Sequence, residues 1–232
     1  MFIPVYDQNP LRSIHFQAVT VSLIAINIAV FILQVTALPV QVVLGFALVP
    51  ADLVGMGAAV PSAAPSAGEI AIPERLTLLS YMFFHGDILH LAGNMLFLWV
   101  FGDNVEDALG HFRFLIFYLA CGVVGGLTHT LMMPTSELPL IGASGAVAGV
   151  IAAYLMLHPR VRIWVLVMRV IPIRISAAFA LGAWIVTQLI MVLLPQVGPV
   201  AWWAHIGGLA AGAVLVVFMR RSGVPLFDRG IA

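Results

Sequence analysis

Six apolar stretches, each closed by proline or charge, constrain this chain more than any other feature of its sequence. They cover roughly 18–38, 88–102, 113–133, 144–158, 175–194 and 201–219. In hydrocarbon every backbone N–H and C=O must be satisfied within its own segment, so an apolar run near 20 residues reads as a spanning helix. The breaks are explicit: Pro39, the polar cluster 103–113, the proline-bounded loops 134–139 and 195–199, the stretch 159–174, and Arg220 with Arg221. Hydrophobic residues make up 62% of the 232 positions and charged residues only 9%, which excludes an ordinary water-soluble domain. The expected fold class is therefore all-α, a polytopic membrane protein of six transmembrane helices. A short segment 1–17 precedes the membrane domain 18–219, and a tail 220–232 follows it.

The formal net charge is zero with no basic run, so nothing favours nucleic acid as a partner; the lipid bilayer is the expected surroundings. Cys121 is the only cysteine, so the chain has no intrachain disulfide and no cysteine-based zinc site. The apolar stretch after residue 17 is too long for a secretory h-region and reads as a retained helix. With six spans, nine of the ten arginines fall on the side of the two termini and only Arg75 falls opposite. The positive-inside rule then makes the termini cytoplasmic. The long connection 39–87 faces outward; its tract AAVPSAAPSAGEIAIP reads as flexible, while QVVLGFALVPADLVGM is apolar enough for the bilayer surface. The lack of a transit-like N-terminus favours a bacterial plasma membrane.

Polar residues inside spans are costly and are functional candidates. His85, His90 and Asn94 flank or open the second span, Ser144 opens the fourth, and His205 lies near the start of the sixth. Asn27, Gln34, Cys121 and His129 stand without a glycine framework and read as packing or interhelical hydrogen bonding. Ser144 to Leu157 is 14 residues and His205 to Met219 is 15. A rise of 1.5 Å per residue sets both side chains about 21 to 22 Å from the inner boundary, below the outer surface. Gly145 and Gly149 lie four apart, as do Gly208 and Gly212, which permits close approach of the two helices.

This constellation supports nucleophilic catalysis. A serine hydroxyl needs a base within hydrogen-bond reach, and His205 is the candidate. Backbone N–H groups in the first turn after Ser144 can face a developing oxyanion, and His90 and Asn94, at i and i+4, can add side-chain donors. No Asp or Glu lies in the outer halves of the fourth and sixth spans, which points to a Ser–His dyad with the imidazole held by packing or another group. A metal site is not expected: HExxH is absent and His85 and His90 are five apart. Asp87 reads as a solvated helix-start residue.

The segments FFHGDILHLAGNMLFLWVFGDNVE, GASGAVAGV and AHIGGLAAG, in this order, resemble the rhomboid family of intramembrane serine proteases. The resemblance runs from about Thr77 to Met219. It implies a six-helix rhomboid-like bundle with Ser144 as nucleophile in the G-x-S-G motif that begins at Gly142, and His205 as base. It also implies an oxyanion hole of His90, Asn94 and the Ser144 N–H, and His85 as support for the first loop. By the same resemblance no cofactor is needed and the substrates are single-span membrane proteins, cut in or near the bilayer from an active site open to the outer face. Two positions depart from the pattern. Ala148 stands where some members carry a tyrosine that packs on the histidine, and Thr77 where some carry an arginine. A rival on the same fold is a non-catalytic chaperone or client-binding protein; the presence of both Ser144 and His205 favours the enzyme. A transporter is disfavoured because the chain has no convincing internal repeat.

Overall fold

The computed structural model describes residues 2–56, 72–167, 170–194 and 200–228. Most of the flexible-reading tract, the loop 195–199, and the side chains of Arg169 and Arg229 that entered the charge count lie outside the described residues. Six apolar helices form a multi-pass bundle: α1 Ala18–Thr36, α5 Ile88–Leu109, α6 His111–Met132, α7 Ser144–Leu157, α8 Ala177–Leu193 and α9 Trp202–Met219. Four are long and apolar enough to cross a bilayer, and α7 and α8 are shorter. The long connection holds three further short helices, α2 Val40–Gly45, α3 Pro50–Leu53 and α4 Glu74–Ser80, and a 3-10 turn Tyr81–Phe83. Outward-facing side chains such as Phe218 and Leu193 are mostly exposed, as lipid contact requires.

The end of the bundle that gathers residues 2–17 and 220–228 departs from an all-helical reading. β1 Phe2–Asp7, β2 Arg162–Val167 and β3 Ile171–Ser176 form an antiparallel sheet in the order β1-β2-β3. The stretch taken as a break between spans is thus mainly a hairpin, and the segment taken as a short lead-in supplies its third strand. In β2, Ile163 and Val165 are buried while Arg162 and Trp164 are exposed, a period-two pattern. It runs only four residues beside a 20-residue apolar run, too short to stand out.

The cluster 103–113 does not end its helix where the charges begin. α5 continues to Leu109 because its carboxylates are used: Glu106, fully buried, accepts from the N–H groups of Val19 and Thr20 at 2.9 and 2.8 Å and from the Thr20 hydroxyl at 2.7 Å. Gln17 provides no side-chain cap for α1, so Glu106 serves as one from another helix. Asp107 accepts from the N–H groups of Arg12, Ser13 and Ile14 at 2.7 to 3.0 Å, tying down the lead-in chain.

Asp7 closes this end onto the serine-bearing helix. The Tyr154 hydroxyl of α7 donates to the Asp7 carboxylate at 2.5 Å. Burial pushes the Asp7 carboxyl up from 3.8 to about 6, against the opposing pull of the Tyr154 hydrogen bond. Because the folded pKa lies above the unfolded one, the stability linked to this proton is present below about pH 4 and lost as pH rises through about 6. The loss amounts to roughly 3 kcal/mol at most. Asp7→Asn should flatten the fall in melting temperature across that window, measured on the full chain in detergent; an unchanged slope would remove Asp7 from the account.

At the opposite end, the long connection packs into the protein rather than merely lying on the bilayer. Leu48, Ala47 and Ala51 are buried. Leu48 pairs with Leu140 through both backbone bonds, at 3.0 and 2.8 Å, and the Ala51 N–H donates to the Ser136 carbonyl at 3.0 Å. These bonds satisfy irregular backbone ahead of α7, which is tolerated at membrane depth only when buried in protein or lining a cavity.

Candidate active site

Ser144 is the first residue of α7, half-buried, at the point where the loop turns into the helix. The two residues before it are fixed by the long connection: the Gly142 N–H donates to the Tyr81 carbonyl at 2.9 Å, and the Ala143 N–H to His85 Nε2 at 3.5 Å. Gly142 has a φ of +127°, a region that L side chains rarely adopt, and a Cβ there would lie 2.6 Å from His90 Cε1. Only glycine meets both conditions. The N–H groups of Ser144, Gly145 and Ala146 find no acceptor among the described residues, as expected of a first helical turn.

His205 reaches Ser144 because α7 and α9 pack backbone to backbone. A Cβ on Gly208 would fall 1.9 Å from the Gly145 carbonyl oxygen, and one on Gly212 2.2 Å from that of Gly149. Gly149 in turn sits against Cys121 of α6, whose Sγ would be 2.5 Å from a Cβ there. The glycine pairs therefore match in parallel, 145 with 208 and 149 with 212. In this register His205 Nε2 stands 2.8 Å from Ser144 Oγ.

The second ring nitrogen has a partner that the sequence reading missed. His205 Nδ1 lies 2.8 Å from Gln188 Oε1 on α8, and Gln188 Nε2 donates to the Trp184 carbonyl at 3.2 Å. The Trp184 contact requires the amide nitrogen on its own side, so the amide oxygen faces the imidazole. Nδ1 must then carry the proton, which leaves Nε2 as the acceptor for the serine hydroxyl. Two tryptophans complete the cradle, Trp202 edge-on at 5.8 Å and Trp184 tilted at 6.2 Å between ring centroids. Ala148, where a packing tyrosine could have stood, is buried in a small cluster with Ala152 and Leu209 beside Trp184. A lone glutamine in the fifth span is a costly exception of the kind that marks function; nothing in its spacing points to His205.

His90 is set by the start of α5: Asp87, the N-cap, accepts from the N–H groups of Leu89 and His90 at 2.8 and 2.9 Å. These bonds, chiefly the one from His90, hold the exposed Asp87 carboxyl below its usual range. One turn on, Asn94 is buried and its Nδ2 has no partner among the described residues. His85 is fully buried, with its ring edge-on to that of His90 at 5.1 Å. Gln34 of α1 clamps its backbone, donating to the His85 carbonyl at 2.7 Å and accepting from its N–H at 3.2 Å. Burial, with the neighbouring His90, pulls His85 down to about 4, so its ring is neutral near pH 7 and Nε2 can accept from the loop.

The remaining intramembrane polar groups divide. Gln34 makes the interhelical bonds just described, while Asn27 donates to Leu23 within its own helix. The Nδ1 of His129 finds no partner among the described residues. Thr77, in the outer loop, is buried and donates to the Glu74 carbonyl. Among the described residues no group of three or more His, Cys, Asp or Glu side chains could hold a metal.

The family model described as the Rhomboid domain matches residues 73–222. Among curated proteins, RHOMBOID-like protein 5 of Arabidopsis thaliana is 33% identical over 142 residues, 61% of this chain and 43% of that protein. Rhomboid protease GluP of Bacillus subtilis is 42% identical over 86 residues, 37% of this chain and 16% of that protein. Presenilin-associated rhomboid-like protein A, mitochondrial, of Danio rerio is 31% identical over 145 residues, 59% and 36% respectively. The chain spans less than half the length of each of these relatives.

Proposed function

This chain belongs to the rhomboid family, and from that premise we propose that it is an intramembrane serine endopeptidase working through a Ser144–His205 dyad. The observation that carries the reading is the 2.8 Å approach of Ser144 Oγ to the His205 nitrogen left bare by Gln188. Ser144 Oγ attacks the scissile carbonyl as its proton passes to Nε2. The oxyanion forms against the Ser144 N–H, with His90 and Asn94 as further donors; the buried Nδ2 of Asn94, without a partner among the described residues, supports that role. His205 then gives the proton to the leaving amine, and water releases the acyl group by the reverse steps. The substrates are single-span membrane proteins. The arginine distribution favours cytoplasmic termini and a site open to the outer face.

A fluorophosphonate probe applied to the purified full chain should label Ser144 and lose that label in Ser144→Ala and His205→Ala, while wild-type protein cleaves a transmembrane substrate with small residues near the site. Wild-type protein that neither labels nor cleaves would overturn the assignment. Gln188 acts through the histidine and is a positioning residue. Gln188→Leu removes the acceptor for Nδ1–H and frees the tautomer, a cost of about 1–3 kcal/mol, or about 5- to 150-fold in kcat. Gln188→Glu keeps the acceptor, adds charge beside the imidazole and should shift the acidic limb of the pH–rate profile upward. A profile identical in both variants would remove the tautomer argument.

A further inference from the structure

A 520 Å³ cleft opens at the sheet-bearing end of the bundle, lined by Pro159, Arg160, Arg162, Ser176, Ala178 and Phe227. Its walls follow from how two spanning helices end. α7 stops at Leu157 and the chain turns through Pro159, while α8 starts at Ala177 after the Ser176 cap, so the cleft lies at a membrane boundary. The tail closes one side: the Phe227 N–H donates to the Met156 carbonyl at 2.6 Å and the Asp228 N–H to that of Leu157 at 3.0 Å.

Among the described residues the arginines of this cleft have no partner. Elsewhere at this end, Arg12 pairs with Asp228 at 3.3 Å, Arg113 donates to the Met219 carbonyl, Arg174 to Gln8 and Arg220 to the Val224 carbonyl. Arg160 and Arg162 are exposed, and neither guanidinium has a hydrogen-bond or ionic partner among the described residues. The start of α8 adds no free donors, since the N–H groups of Ala177, Ala178 and Phe179 go to the Val161 carbonyl, the Pro159 carbonyl and Ser176 Oγ. The two guanidinia are thus the charged donors that the cleft presents. Apolar surface flanks them: Phe227 is 59% exposed, Phe179 in the first turn of α8 65%, and Trp164, two residues along the strand from Arg162, 38%.

We propose that this cleft binds a phosphate group, presented by the headgroup of an anionic phospholipid. Guanidinium forks match phosphate oxygens in geometry and charge, and exposed aromatic side chains beside them suit the headgroup region rather than open water. Each basic residue near an anionic membrane surface contributes about 1 kcal/mol, which is about fivefold in binding. The pair should therefore contribute on the order of 25-fold.

The test uses the full chain in neutral detergent, titrated with short-chain phosphatidylglycerol or phosphatidylcholine and read by native mass spectrometry. Phosphatidylglycerol should be retained in preference, and Arg160→Gln with Arg162→Gln should weaken its binding about 25-fold, while Arg113→Gln leaves it unchanged. Arg160→Lys with Arg162→Lys keeps the charge but not the fork and should bind between wild type and the glutamine pair, with melting temperatures of both pairs equal to wild type, which separates loss of the site from loss of the fold. In parallel arms, glycerol phosphate and inorganic phosphate compete with the lipid; displacement by either at comparable concentration reassigns the phosphate to a soluble source. Equal binding of both lipids, or an equal loss on Arg113→Gln, would overturn the site and leave only diffuse positive charge.

Discussion

Ser144→Ala and His205→Ala should each reduce cleavage of a transmembrane substrate by about 10⁴-fold or more, and the double substitution should be no worse than either alone. The reason is geometric. Among the described residues the one side chain that Ser144 Oγ hydrogen-bonds is His205, at 2.8 Å, so in the proposed reaction removing either ends the same proton transfer. The rate left over would reflect binding and the proposed oxyanion donors, the N–H groups at the start of α7 and Asn94, which neither change touches. Single-turnover cleavage by purified variants measures this directly. Losses that multiply in the double variant would mean that the two side chains act in separate steps. Ser144→Ala removes only a half-buried hydroxyl, so its melting temperature should stay close to wild type, whereas His205→Ala empties a buried cradle and should lower it.

Gly208→Ala should be the most damaging change outside the dyad. Its new Cβ would stand 1.9 Å from the Gly145 carbonyl oxygen and 3.2 Å from Gly145 Cα. Both are backbone atoms of the helix that carries Ser144, so no rotamer change relieves the clash and α7 and α9 must part. Overpacking of this kind costs about 1–3 kcal/mol. A shift of the dyad on the order of 1 Å costs about 100-fold in rate. Gly182→Ala is the control, since a Cβ there meets nothing within 4 Å. Activity and melting temperature should fall together for Gly208→Ala and hold for Gly182→Ala. Equal behaviour of the two would show that the α7–α9 contact does not set the spacing of the dyad.

The spans were legible because lipid imposes one rule on every segment, and the rule leaves a 20-residue apolar run in the sequence. The carboxylates of the cluster 103–113 were not legible in the same way. Asp107 and Glu106 look like a helix stop on charge alone, yet α5 runs through them because their partners are N–H groups some 90 residues away. The small sheet was hidden for two reasons: β1 joins it from residues 2–7, about 155 positions away, and the local hairpin of β2 and β3 alternates over only a few side chains, with none of β3 buried.

The site divides along the same line. Ser144 and His205 stood out in the sequence as polar groups at equal depth on glycine-bearing helices, and the 3.6-residue period alone put Gly145 and Gly149 on one face and Gly208 and Gly212 on one face. What holds the imidazole was not readable there. Ala148 removed the obvious aromatic support, and the part is taken by Gln188 and Trp184 of α8, with Trp202 of α9 beside them. The sequence by itself determined the membrane class, the apolar spans and which polar residues are candidates for acyl transfer, because hydrophobic length and a costly buried polar group are local properties. Only the tertiary structure decided which nitrogen of His205 faces the serine, because a tautomer is set by a partner on another helix and no spacing within the chain encodes that meeting.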